Sequence, residues 1–130
     1  MTQRFEIRGR LAGANEYTAA NRRDRHAGAK LKREAQQQVA EAIDAAGLVP
    51  MQPPVFVRFT WVEPNMRRDP DNVAFARKFV FDALVERGIL GNDNWAWVDG
   101  FADSFRVNAA NPRIVVEIEG KEKGAKDGSD

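Results

Sequence analysis

Cysteine is absent from this 130-residue chain, and histidine occurs once, as His26. The first absence excludes a disulfide framework, a thiolate nucleophile and any zinc site built on thiolates, and the second removes every metal motif that needs two imidazoles. Serine is confined to Ser104 and Ser129, neither in a nucleophile elbow, and no Gly-rich phosphate loop points to a nucleotide cofactor. No apolar run approaches the roughly 18 residues that cross a bilayer, and the opening MTQRFEIRGR lacks the apolar centre of a signal peptide. One-sided charge is missing too. Twenty Lys and Arg face nineteen Asp and Glu, a net of +1, and that total points away from a polyanionic partner. What is present is 43% hydrophobic and 30% charged, enough for one ordinary domain that buries roughly two-thirds of its unfolded surface.

The neutral total hides an uneven distribution. Residues 1–33 hold nine cations and three anions, whereas the stretch from Asp82 to Asp130 holds six cations and ten anions. Arginine outnumbers lysine fourteen to six. Its planar fork suits bidentate contact with phosphate, so a basic front rich in arginine leans towards a nucleic acid.

Periodicity predicts a strand at Arg4–Arg8, then a polar loop from Leu11 to Arg25 that carries Arg22, Arg23, Arg25 and, next to it, His26. Phosphate contact is the natural use of such a loop. Ala29–Ala46 has apolar residues at helical spacing and stops at Gly47, and Val55–Val62 is a strand with Val55, Val57, Phe59 and Trp61 on one face. A second helix opens at Asp69-Pro70-Asp71 and runs to about Arg87, because Asp is a good N-cap, Pro fits the first helical position, and a second Asp suits the positive end of the dipole. Its apolar residues wrap more than one face and require two burial surfaces. Trp95–Phe105 and Arg113–Glu119 read as late strands, and residues 120–130 as a flexible charged tail behind a domain of residues 1–119. The expected fold is α+β, a small mixed sheet with two main helices in the order β-α-β-α-β-β.

The chemistry concentrates in Asn65-Met66-Arg67-Arg68-Asp69-Pro70-Asp71-Asn72. Two carboxylates two residues apart at a strand-to-helix junction can converge on Mg²⁺, which prefers carboxylate oxygens and keeps several waters. Arg67 and Arg68 could then hold the phosphate backbone that Asp69 and Asp71 repel. The competing reading is that Asp-Pro-Asp only starts a helix. Asp93, in the turn Gly91-Asn92-Asp93-Asn94, and Lys78, a helix lysine able to stabilise developing charge, are further candidates. Weaker ones are the Glu119-Gly120-Lys121 triplet, better read as a strand end, and Trp95 with Trp97, which could stack on bases but more simply pack in a core.

These residues resemble the RusA-type Holliday-junction resolvases, above all the phage and prophage members. The resemblance is carried by Arg67-Arg68-Asp69-Pro70-Asp71-Asn72, by a helix ending Phe81-Asp82-Ala83-Leu84, and by Gly88-Ile89-Leu90-Gly91-Asn92-Asp93 followed by Trp95. It implies a small homodimer in the cytoplasm of a bacterial host that nicks four-way DNA junctions symmetrically with Mg²⁺ or Mn²⁺. It further implies that Asp69, Asp71 and Asp93 are the metal carboxylates. The family's essential lysine matches Lys78 when counted back from Asp82, with Arg77 as its rival, and only the second acid of the family's Asp-Asp pair is kept here.

If residues 71–87 form one straight helix, its ends lie about 24 Å apart, while the six steps from Arg87 to Asp93 reach back at most about 20 Å. The expected site is therefore composite, with Asp69 and Asp71 of one subunit meeting Asp93, or at least Lys78, of the other. Two alternatives stand beside the nuclease: a non-catalytic nucleic-acid-binding module, and a structural dimerising protein.

Overall fold

A computed structural model describes residues 1–121 of the chain. The tail expected from residue 120 lies outside the described residues from 122 onward. The elements follow the order β1 (Thr2–Arg8), α1 (Ala14–Arg23), α2 (Arg25–Ala46), β2 (Val55–Glu63), α3 (Pro70–Ala74), α4 (Arg77–Glu86), β3 (Val98–Val107) and β4 (Arg113–Gly120). The fold is α+β with one four-stranded mixed sheet in the order β1-β4-β2-β3. β4 runs antiparallel to both β1 and β2, and β3 lies parallel to β2 at the edge. Among the described residues no helix is long and apolar enough to cross a membrane.

Register lines up rows of side chains across the sheet. Phe5, Val116 and Phe59 form one such row, and Ile7, Ile114 and Trp61 another. All six are buried, as are Val55 and Val57 on the same face of β2, so the alternation read from the sequence does select the core face. The opposite face is mixed: it carries the ion pairs Arg4–Glu6, Arg113–Glu6 and Arg58–Glu119 beside the buried Val62 and Val115.

The segment Leu11–Arg25 is not a loop. It contains α1, joined to α2 through Asp24 alone, whose Oδ1 accepts the Ala27 N–H at 2.8 Å and caps α2. Arg22 and Arg23 therefore lie in the last turn of α1 and Arg25 opens α2, all exposed. The helix went unseen because it buries little, chiefly Ala20 and part of Tyr17, too narrow an apolar stripe to register as periodicity. Its stability comes from tertiary contacts. Tyr17 packs on Phe75 and Phe79 with ring centroids 5.6 and 6.0 Å away, and the buried Asn72 side chain accepts the Asn15 N–H at 2.8 Å.

The second helix is not continuous either. It breaks at Phe75–Ala76, where Ala76 has ψ −7° and Ala76, Lys78 and Phe79 donate to carbonyls three residues back. Such a tightened turn re-aims the following helix. Phe75 and Phe79 can then meet Tyr17 of α1 while Phe81 meets Phe59 of the sheet at 5.7 Å. The broad apolar girth of this segment is thus buried within one chain, between α1, α2 and the sheet. It does not call for a second copy. Trp95–Trp97 is likewise a turn rather than strand, and β3 begins only at Val98.

α1 starts against α3 at very short range. A Cβ on Gly13 would sit 2.6 Å from the Asn72 carbonyl oxygen and 2.7 Å from its Oδ1. Gly13→Ala is expected to cost about 1–3 kcal/mol, read as a lowered urea midpoint with an unchanged slope.

Candidate functional site

β2 ends at Glu63, and the chain then turns through residues 64–69 into α3. Glu63 is an acid left almost without solvent, at 10% side-chain exposure, and it faces Arg68 at 13%. Arg68 Nε and Nη2 donate to Glu63 Oε1 and Oε2 at 3.1 and 2.8 Å, a two-pronged pair. Arg10 Nη2 adds a third bond to Oε1 at 3.0 Å, and Arg68 Nη1 also reaches the Leu11 carbonyl at 3.0 Å and Glu16 at 3.2 Å. Burial alone would raise the Glu63 carboxyl, but the hydrogen bonds and charges of Arg68 and Arg10 outweigh it and hold its pKa below the usual carboxylate value. Burial likewise acts to lower Arg68, and Glu63 with Glu16 reverses the sign and raises it. Arg68 is thus committed inside the fold, and the phosphate contact expected of it has no free guanidinium there. Arg67 beside it is exposed, and its guanidinium makes no hydrogen bond or ion pair among the described residues.

The clamp places Asp69 at the N-cap of α3, with φ −68° and ψ 152° and Pro70 following. The Asp69 carboxylate makes no capping bond. Asp71 Oδ1 accepts only the N–H of Asn72, at 2.9 Å. Both acids are exposed, and neither pairs with a cation among the described residues. A helix start built for stability alone would engage Asp69 as its cap. Two uncapped, uncompensated carboxylates two residues apart are instead oxygen donors of the kind that Mg²⁺ takes.

Asp93 sits in an exposed turn, where its own N–H bonds to Asn92 Oδ1 at 2.7 Å and its carboxylate has no cationic partner among the described residues. Among the described residues of one chain, no group of three or more His, Cys, Asp or Glu side chains is arranged to hold a metal. Asp69, Asp71 and Asp93 are therefore not gathered by one chain. The reason is not the single straight helix that the sequence suggested, since that helix is broken.

Lys78 is exposed on the first turn of α4, with no side-chain bond among the described residues. Its rival Arg77 is tied to β3, where it forms an ion pair with Asp103 and lies 4.5 Å over the Phe101 ring. Asp103 also accepts the indole N–H of Trp61 at 2.8 Å. Glu119 pairs with Arg58, and Lys121 pairs with Asp99 and donates its backbone N–H to Pro54, so the acid-x-Lys triplet is held as a strand end. Trp97 is half-buried, but Trp95 is 99% exposed. Core packing was the wrong expectation for Trp95, because strand periodicity assigned a face to a residue that stands in a turn. The Glu63 hub was also missed, although a lone acid closing an apolar strand five residues before an arginine was the available signal.

A scan against protein-family models finds none that matches this chain, and a search of curated proteins finds no match to it.

The buried pair yields a pH dependence. The folded pKa of Glu63 is depressed, so its stabilisation is present above the unfolded value of about 4.3 and is lost as the pH falls through the folded value. Glu63→Gln is expected to cost about 3 kcal/mol at pH 7 by leaving Arg68 buried and unpaired. It should also remove this component of acid unfolding, as followed by circular dichroism from pH 7 to 2.

Proposed function

We propose that this protein is a Mg²⁺-dependent, structure-selective endodeoxyribonuclease that works as a homodimer on four-way DNA junctions in the cytoplasm of a bacterial host. The observation that carries this reading is the state of Asp69 and Asp71: exposed, held by a buried clamp, not used as a cap and not neutralised. The likeness of residues 67–95 to the RusA-type resolvases supports it.

Asp69 and Asp71 would hold the metal, with Asp93 of the partner subunit as the third carboxylate, because one chain does not bring the three together. A Mg²⁺ (or Mn²⁺) ion held by these carboxylates would supply the Lewis acidity that activates a water and stabilises a leaving oxygen in phosphodiester hydrolysis. Lys78, without a side-chain partner among the described residues and seven residues beyond Asp71, would supply positive charge towards the phosphate as negative charge builds on it. Arg22, Arg23, Arg25 and Arg67 contact backbone phosphates, which gives affinity without sequence choice. Arg68 contributes indirectly, by fixing the loop that ends at Asp69. A two-fold dimer presents two such sites to two strands, as symmetric nicking of a junction requires.

Asp71→Asn is expected to lower cleavage of a labelled four-way junction by about two orders of magnitude or more, with junction binding retained or tightened. Unchanged cleavage rejects the assignment, and salt-sensitive binding by the native protein without Mg²⁺-dependent cleavage identifies a binding module instead. The shared site has its own measurement. Asp71→Asn and Asp93→Asn proteins, each inactive, should regain nicking of one strand when mixed and allowed to exchange subunits. In a mixed dimer one composite site carries both substitutions and the other carries none. Sites confined to one chain would each keep one defect and stay silent.

A further inference from the structure

Seven large apolar side chains are exposed among the described residues, and five of them follow one strand. Phe101, Phe105 and Val107 lie on β3, Met66 is beside its C-terminal end, and Trp95 stands three residues before its start. The register explains the exposure. The rows Ile118–Val57–Phe101 and Ile114–Trp61–Phe105 cross from β4 to β3. Their inner members are 0–2% exposed, whereas Phe101 and Phe105 remain 46% and 38% exposed. Of the helices, α4 reaches this strand with Arg77 and Phe81, which lie against Phe101 and Asp103 and cover Phe101 in part, and among the described residues β3 has β2 as its one sheet neighbour. A long apolar edge that stays this exposed is a surface that soluble proteins seldom leave without an occupant.

At the C-terminal end of this strip is a cavity of about 300 Å³ lined by Met66, Asp69, Pro70, Val73, Phe105 and Val107. At the other end Trp95 is presented on a stiff turn. The Asn94 carbonyl accepts the Trp97 and Val98 N–H groups at 3.0 and 2.9 Å, and Asn94 Oδ1 accepts that of Ala96 at 3.1 Å. Trp97 covers Gly91 so closely that a Cβ there would be 2.5 Å from the indole. The backbone that presents Trp95 is thus ordered in advance, which lowers the cost of seating it. It cannot fill its own chain's cavity, because the nine steps from Val98 to Val107 span about 30 Å.

Phe101 lies midway, six residues from Trp95 and six from Val107. A two-fold axis beside Phe101 that runs the two β3 strands antiparallel sets each Trp95 opposite the other copy's Val107. Charge agrees with this placement. Arg106 lines the cavity without an acidic partner, and Asp93, two residues before Trp95, has no cation, among the described residues. We infer that a second copy of this chain docks along β3, with Trp95 of each subunit seated in the cavity of the other. Resting on the nuclease reading above, this seating is also what carries the partner's Asp93, within about 7 Å of its Trp95 along the chain, to Asp69 on the cavity wall.

The test needs neither DNA nor metal. The native protein should sediment as a dimer, and Trp95→Ala should raise the dimer dissociation constant about 30-fold or more, as loss of a buried tryptophan anchor does. The chain has no cysteine, so Ala96→Cys and Val107→Cys can be introduced on a clean background and treated with a short bifunctional maleimide. Both positions are exposed. The double variant should give a covalent dimer, each single variant should not, and adding Trp95→Ala should abolish the product. A monomer at all concentrations, a dimer that does not cross-link, or efficient cross-linking of a single variant overturns the inference. So does a Trp95→Ala protein that dimerises normally but binds DNA more weakly, which would assign the indole to base stacking. A dimer that cross-links as expected yet never cleaves a junction would defeat the nuclease reading alone.

Discussion

The ion pair between Glu63 and Arg68 organises the end of the molecule where the acids lie. Taking two charges out of water is costly, and the cost is met here because nearly every polar atom of the pair is used: Glu63 receives Arg68 twice and Arg10 once, and Arg68 also reaches Leu11 and Glu16. Through these bonds the end of β2, the β1–α1 connector, the first turn of α1 and the loop before α3 are fixed to one another. Asp69 is the next residue after Arg68. Its position is therefore set by a buried clamp rather than by the flexible loop that its surroundings in sequence suggest, and side chains held on rigid supports are what a metal or phosphate site needs.

A mismatch between layers is the second constraint. The helices pack over one face of the sheet, and of β3 they reach Phe101 and Asp103 through Arg77 and Phe81 of α4. The break at Phe75–Ala76 belongs to the same economy of coverage. By turning the chain between α3 and α4 it satisfies α1 with Phe75 and Phe79 and the sheet with Phe81, and it leaves Phe101, Phe105 and Val107 of β3 partly exposed. The unpartnered apolar surface of this protein is consequently on a strand edge, not on the helix whose composition first drew attention to it.

Much of the fold was legible because it follows local periodicity. Val55, Val57, Phe59 and Trp61 alternate and are all buried, and α2 ends at Gly47, which adopts φ 66° as a left-handed cap. α1 was not legible, since a helix that buries mainly Ala20 and part of Tyr17 carries almost no pattern and owes its existence to α3. Of the site, the pairing of Asp69 with Asp71 at a helix start could be read directly. The division of labour between neighbours could not: Arg67 is exposed and Arg68 is locked to Glu63, Lys78 is exposed and Arg77 is locked to Asp103. Adjacent residues of one charge are indistinguishable until the fold decides which of them turns inward.

By itself the sequence determined the α+β class, the core faces of β1 and β2, the helix start that displays two acids, and the exclusion of thiolate and histidine-pair chemistry. These depend on residue type and short-range spacing alone. Only the tertiary structure decided which charges are spent on one another, that Trp95 stands in solvent rather than in the core, and that the apolar residues of the edge strand stay partly exposed. Each of these depends on what distant segments bring to the same place, through solvent exclusion at Glu63 and through its absence along β3.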